Sequence, residues 1–125
     1  MGLMAKKILI IEDEKHFHDI YKAILEDKGY DIICVYDGDE AIEKVEQEKP
    51  DLIISDIQLN LVTGDTFFLY LKGMPEYADL PVLIISAFSE KNYKGLKEMD
   101  PDVVYIEKSK LTEEKLLEEV EKKLA

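Results

Sequence analysis

Five short apolar runs, rich in β-branched residues, punctuate this chain: Ile8 to Ile11, Ile32 to Tyr36, Leu52 to Ile54, Val82 to Ile85 and Val103 to Ile106. Each is too short for a helix and nearly continuous rather than alternating. A strand with one face in water alternates polar and apolar residues. An unbroken run predicts a strand covered on both faces, as in a parallel sheet.

The segments between the runs carry helical periodicity. Phe17, Ile20, Tyr21, Ile24 and Leu25 form one apolar stripe, and Gly29 stands where a C-terminal cap belongs. A second helix is predicted over about Asp39 to Glu48, with Ala41, Ile42 and Val45 inward and Pro50 as its stop, and a third over about Asp65 to Lys72. Glu90 to Met99 is the weakest, with Gly95 inside it and only Tyr93, Leu96 and Met99 to anchor it. In the last, Thr112 is a candidate cap and Leu111 with Leu116 a hydrophobic staple, while Leu117, Val120 and Leu124 continue the stripe. Glu118–Lys122 and Glu119–Lys123 are spaced for ion pairs on its outer face. The alternation predicts an α/β fold: a (βα)5, doubly wound, five-stranded parallel sheet with right-handed crossovers and helices on both faces.

No linker, repeat or low-complexity tract interrupts the 125 residues, so a single domain is expected, with its core from about Lys7 to Leu124 and no output domain within the chain. The formal charge is −12, and all 16 basic residues are lysines. Nucleic-acid surfaces are basic and favour arginine, so direct DNA or RNA binding is not expected. No apolar run approaches a membrane span and no signal-peptide core precedes the first strand, so the expected compartment is the cytoplasm. Cys34 is alone, which excludes an internal disulfide, and its apolar neighbours predict a small buried hydrophobe. His16 and His18, flanking the inward Phe17, are read as solvent-facing and not as ligands.

In open α/β sheets, sites form beyond the carboxyl ends of the strands, where strand order reverses. Those ends carry Glu12-Asp13, Ser55-Asp56, Ser86-Ala87 and Glu107-Lys108; the second strand ends in Asp37-Gly38, which reads as an ordinary turn. Three carboxylates brought together repel one another and call for a cation. All-oxygen ligands favour a hard ion such as Mg²⁺. A carboxylate beside such an ion can attack phosphorus, with a lysine and a hydroxyl neutralising and hydrogen-bonding the transferred group.

The stretches Lys7 to Glu14, Asp51 to Asp56, Pro81 to Ala87 and Tyr105 to Lys108 resemble those of bacterial and archaeal response-regulator receiver domains. So do the spacings of 43, 30 and 22 residues linking Asp13, Asp56, Ser86 and Lys108. The resemblance implies a flavodoxin-like sheet in the order 2-1-3-4-5. It also implies a phosphorylation-dependent switch of a two-component system, with Asp56 accepting a phosphoryl group from a histidine kinase or phosphotransfer protein. Asp13 and Asp56 would bind Mg²⁺, with Glu12 acting through water and Gln58 through its backbone carbonyl. Ser86 and Lys108 would contact the phosphoryl group, and Ser86 and Tyr105 would form the switch. The fourth helix, fifth strand and fifth helix would be the surface read by a downstream protein or output domain. The expected state is a monomer or weak dimer, acting as a regulated module and not as an enzyme.

The sequence departs from the family at four places. Glu12 stands where many relatives have Asp, Ser109 follows Lys108 in place of a proline, Asn60 replaces a common proline, and Asp100-Pro101-Asp102 replaces a Gly-Ala pair. Without the proline, a cis bond after Lys108 would cost about 2.5–4 kcal/mol, so a trans bond is expected. Two alternatives stand beside the switch: a degenerate receiver that binds partners without phosphorylation, and an aspartyl-phosphate phosphohydrolase. The second usually needs an acid two residues after the nucleophile, where this chain has Gln58.

Overall fold

A computed structural model describes residues 5–56, 64–88 and 95–125. The five apolar runs form strands β1 (Lys7–Ile11), β2 (Asp31–Val35), β3 (Leu52–Ser55), β4 (Val82–Ser86) and β5 (Val104–Glu107). They pair in parallel in the order β2-β1-β3-β4-β5. The predicted architecture is therefore the observed one.

Both faces of the sheet are covered, which is why its strands read as continuous apolar runs. On one face Leu9, Ile11, Ile53, Val82 and Ile84 pack with Val45, Phe67, Leu71 and Leu96. On the other, Ile8, Ile10, Leu52, Ile54, Leu83 and Ile85 pack with Tyr21, Leu25, Leu116 and Val120. The period-two alternation of strand side chains assigns each residue to its core. The helices on the first face are α2 (Gly38–Glu48), α3 (Gly64–Lys72) and α4 (Gly95–Met99); those on the second are α1 (Lys15–Asp27) and α5 (Glu113–Leu124).

Helix ends follow local chemistry. Gly29, at φ +89°, lies just past the end of α1, and its N–H donates to the Glu26 carbonyl at 3.0 Å, as its position predicts. Asp37, read from sequence as part of a plain turn, is instead the N-cap of α2: its carboxylate accepts from the Glu40 N–H at 2.9 Å. Thr112 caps α5 through the Lys115 N–H at 3.0 Å. The first part of the predicted fourth helix, and Tyr93 with it, lies outside the described residues.

Three expectations about exposure are corrected. His18 is buried and Ile20 is 45% exposed, because the inward seam of α1 runs through residues 18, 21 and 25. Cys34 is half-buried, since β2 is an edge strand. Glu119 is buried among the α5 acids: it pairs with Lys115 at 3.2 Å and Lys122 at 3.8 Å. Its expected partner Lys123 donates instead to the Asp102 carbonyl. The expected Glu118–Lys122 pair is present at 3.0 Å.

At the end of the sheet away from the acids, Lys72 closes α3. Its ammonium donates to the carbonyls of Ala78 (3.2 Å) and Leu80 (2.6 Å), just before β4, and pairs with Asp100 (3.3 Å), just after α4.

Candidate functional site

The sheet register brings the strand-end residues together. Ile11 lies opposite Ser55 and Ser86 opposite Glu107, so Glu12 adjoins Asp56, and Lys108 emerges beside the end of β4. The Asp56 N–H donates to the Ile11 carbonyl at 2.9 Å, extending the ladder one residue past the strands and fixing the root of its side chain. Carboxylate oxygens of Glu12, Asp13 and Asp56 lie within 4.8 Å of one another. Glu12 and Asp56 are buried and Asp13 is half-buried, so the cluster opens toward solvent on the Asp13 side.

Lys108 brings an ammonium into the cluster. Its ammonium stands 2.7 Å from Glu12 Oε1 and 2.8 Å from Asp56 Oδ2, with Glu14 at 4.0 Å, and it lies 4.1 Å from the centre of the Phe17 ring. Burial alone would lower its pKa, but the hydrogen bonds to Asp56 and Glu12 outweigh that and hold the ammonium above its ordinary value. Glu12 shows the opposite balance. Desolvation pushes its carboxyl up to about 7, although Lys108 pulls the other way. Among the described residues, three carboxylates thus gather around the Lys108 ammonium. A cluster of three carboxylate oxygens this close together fits a small hard cation.

The loop carrying the first two acids is tied on every side. The Glu12 N–H donates to the Val35 carbonyl, and its carboxylate accepts from the Glu14 N–H at 3.1 Å. The Glu12 carbonyl meets Nε2 of the buried His18, whose ring lies against Tyr36 at 4.6 Å. A carbonyl only accepts, so Nε2 carries the proton. Among the described residues, Nδ1 of His18 and the hydroxyl of buried Tyr21 have no hydrogen-bond partner. Burial, together with the charges of Glu12, Asp56 and Glu14, raises the pKa of the Tyr21 hydroxyl. The contacts of His18, Tyr21 and Phe17 were missed from sequence. Residues 18, 21 and 25 share the spacing i, i+3, i+7, and that was the available signal.

Ser86 and Tyr105 meet at one residue. Ser86 Oγ, fully buried, accepts from the Phe88 N–H at 3.2 Å, and the Tyr105 hydroxyl donates to the Phe88 carbonyl at 2.8 Å. Gln58 lies outside the described residues. Past Lys108 the chain makes a 3₁₀ turn over Lys108–Lys110, and the described residues contain no cis peptide bond, as expected with Ser109 in place of proline.

A family model for the response regulator receiver domain matches residues 8–121. The chain belongs to the response regulator receiver domain family. Among solved structures, this receiver domain is 31% identical to the signal receiver domain of a signal transduction histidine kinase from Syntrophus aciditrophicus, with a TM-score of 0.85 over 96% of this chain and 90% of that one. It is 28% identical to the BeF3-activated N-terminal receiver domain of RstA from Klebsiella pneumoniae, at TM-score 0.84 over 95% and 98% of the two chains. A response regulator from Chloroflexus aurantiacus J-10-fl shares the fold at TM-score 0.87 and 21% identity, over 97% of this chain and 98% of that one. As a receiver domain, the chain is a component of two-component signalling.

Proposed function

We propose that this receiver domain is a phosphorylation switch in which Asp56 accepts a phosphoryl group from a histidine kinase or phosphotransfer protein, with Mg²⁺ held by Asp13 and Asp56, by Glu12 through water, and by the Gln58 carbonyl. The observation that carries the reading is the cluster itself: three carboxylates within 4.8 Å of one another, with Lys108 2.8 Å from the proposed acceptor. Bound Mg²⁺ would supply charge neutralisation at the transferring oxygens.

An Asp56 carboxylate oxygen attacks phosphorus, the new P–O bond forms as the P–N bond to the donor imidazole breaks, and the imidazole departs as the leaving group. Asp56 sits at the end of a rigid buried strand, which fixes its line of approach. Lys108 keeps its ammonium against Asp56 and can donate to a phosphoryl oxygen without travelling far. Ser86 Oγ accepts from the Phe88 N–H and keeps its own O–H to donate to another phosphoryl oxygen. Because Tyr105 holds the Phe88 carbonyl, a shift of Ser86 toward the phosphoryl group would pull on the Phe88 backbone and so on the Tyr105 contact. A local charge event at Asp56 thus reaches the face formed by α4, β5 and α5. On that face a groove is lined by Tyr105, Glu107, Lys110 and Lys115. We assign this face to the downstream partner or output domain, and we read the chain as a regulated module and not a turnover enzyme.

The test is intact mass spectrometry after incubation with acetyl phosphate and Mg²⁺. A gain of about 80 Da, one phosphoryl group, should require both Asp56 and the metal. No adduct in the wild-type protein, and no binding of a beryllofluoride mimic, would favour a degenerate receiver. Rapid turnover of a phosphate ester that Asp56→Asn abolishes would favour a phosphohydrolase.

A further inference from the structure

Lys108 has a close contact that the phosphoryl-transfer reading leaves unused. Its ammonium lies 4.1 Å from the Phe17 ring centroid, inside the roughly 6 Å range of a cation–π interaction. Only 12% of the Lys108 side chain is exposed, so the contact sits largely out of water, where such an attraction is stronger. Phe17 is itself held: it is half-buried on α1, with the His16 ring at 4.2 Å and the Tyr21 ring at 5.9 Å.

The groups around the ammonium differ in what the switch asks of them. Glu12 and Asp56 are its hydrogen-bonded partners, at 2.7 and 2.8 Å. In the proposed cycle both turn toward the metal or become phosphorylated, so both change what they offer Lys108. Glu14, at 4.0 Å, has a half-exposed side chain and holds the ammonium weakly. The Phe17 ring carries no charge to neutralise and binds no metal, so its face is the same before and after transfer. A lysine stem is flexible and its ammonium strongly hydrated, so release by two carboxylates would let it swing into water. An ammonium with one side on a ring still has N–H donors for a phosphoryl oxygen.

We propose that Phe17 is a positioning residue for Lys108: its ring face retains the ammonium over the pocket while Glu12 and Asp56 exchange partners. This inference rests on the phosphoacceptor reading above.

The test compares Phe17→Leu, which keeps apolar bulk and removes the ring face, with Phe17→Tyr, which keeps both. Melting curves first establish that each variant is folded. In proton NMR of the wild-type protein, the Lys108 ε-methylene should be shifted upfield by the ring; the shift should persist in Phe17→Tyr and vanish in Phe17→Leu. At saturating Mg²⁺, Phe17→Leu should take phosphoryl from acetyl phosphate about five-fold more slowly, Phe17→Tyr at close to the wild-type rate, and the half-saturating Mg²⁺ concentration should stay within about two-fold. In a Lys108→Met background the Leu substitution should have no further effect. Equal rates for wild type and Phe17→Leu, or a rate loss that persists without Lys108, would overturn the inference and leave the phosphoacceptor reading standing. A wild-type protein that takes no phosphoryl would overturn both, while the ring-current shift would still report whether the contact exists.

Discussion

The Lys108 ammonium lies 2.8 Å from the Asp56 carboxylate across a separation of 52 residues, and it reaches Glu12 as closely. One cation therefore bridges two buried acids that follow different strands, and the three side chains are coupled.

Removing that cation takes away a close counter-charge from both acids. Lys108→Met should lower stability in metal-free buffer by about 2 kcal/mol, and saturating Mg²⁺ should restore most of the loss. Urea denaturation with and without Mg²⁺ reads both numbers. An equal deficit in the two conditions would show that Lys108 and the metal do not neutralise the same charge.

The raised pKa of Glu12 sets a pH dependence. Its carboxyl titrates near 7 in the folded protein against an ordinary value of 4.5, chiefly because burial disfavours the charged form. The folded chain thus holds more protons than the unfolded one between those values. The stability this group contributes is complete below about pH 4.5 and is lost as pH rises through about 7. In EDTA, subtracting the stability–pH curve of Glu12→Gln from that of the wild type should isolate this fall. Identical slopes for the two proteins would refute it.

His18 donates to the Glu12 carbonyl from inside the protein, so a side chain without a donor orphans a buried acceptor. His18→Leu should cost about 1–3 kcal/mol in chemical denaturation. His18→Gln keeps an N–H of similar reach and should cost less than half as much. Equal losses would mean that ring volume, and not the hydrogen bond, is what the loop requires.

The fold was legible because burial on both faces writes itself into the strands as unbroken apolar runs, and because Gly29 and Thr112 mark helix ends by local chemistry alone. The acids, Ser86 and Lys108 were legible because a parallel sheet gathers its carboxyl ends along one edge, so position in the strand pattern is enough to group them. His18 was misread because Phe17 and Ile20 suggested a different inward face. Only the packed structure shows that the seam of α1 turns toward the Glu12 carbonyl. The capping role of Asp37 was hidden for a related reason, since a turn and an N-cap use the same residues. The Phe88 backbone that joins Ser86 to Tyr105 could not be read at all, because a main-chain hydrogen bond leaves no mark on residue type.

The Lys72 contacts at the opposite end of the sheet bear on how its elements are held together. Lys72 binds the chain just before β4 and, through Asp100, just after α4. At about 3.3 Å per residue, the six steps from Leu80 to Ser86 put the far end of β4 about 20 Å from that clasp. Lys72 is thus a three-way rivet: one ammonium ties the last turn of α3 to the entry of β4 and to the exit of α4, so its loss should loosen all three at once.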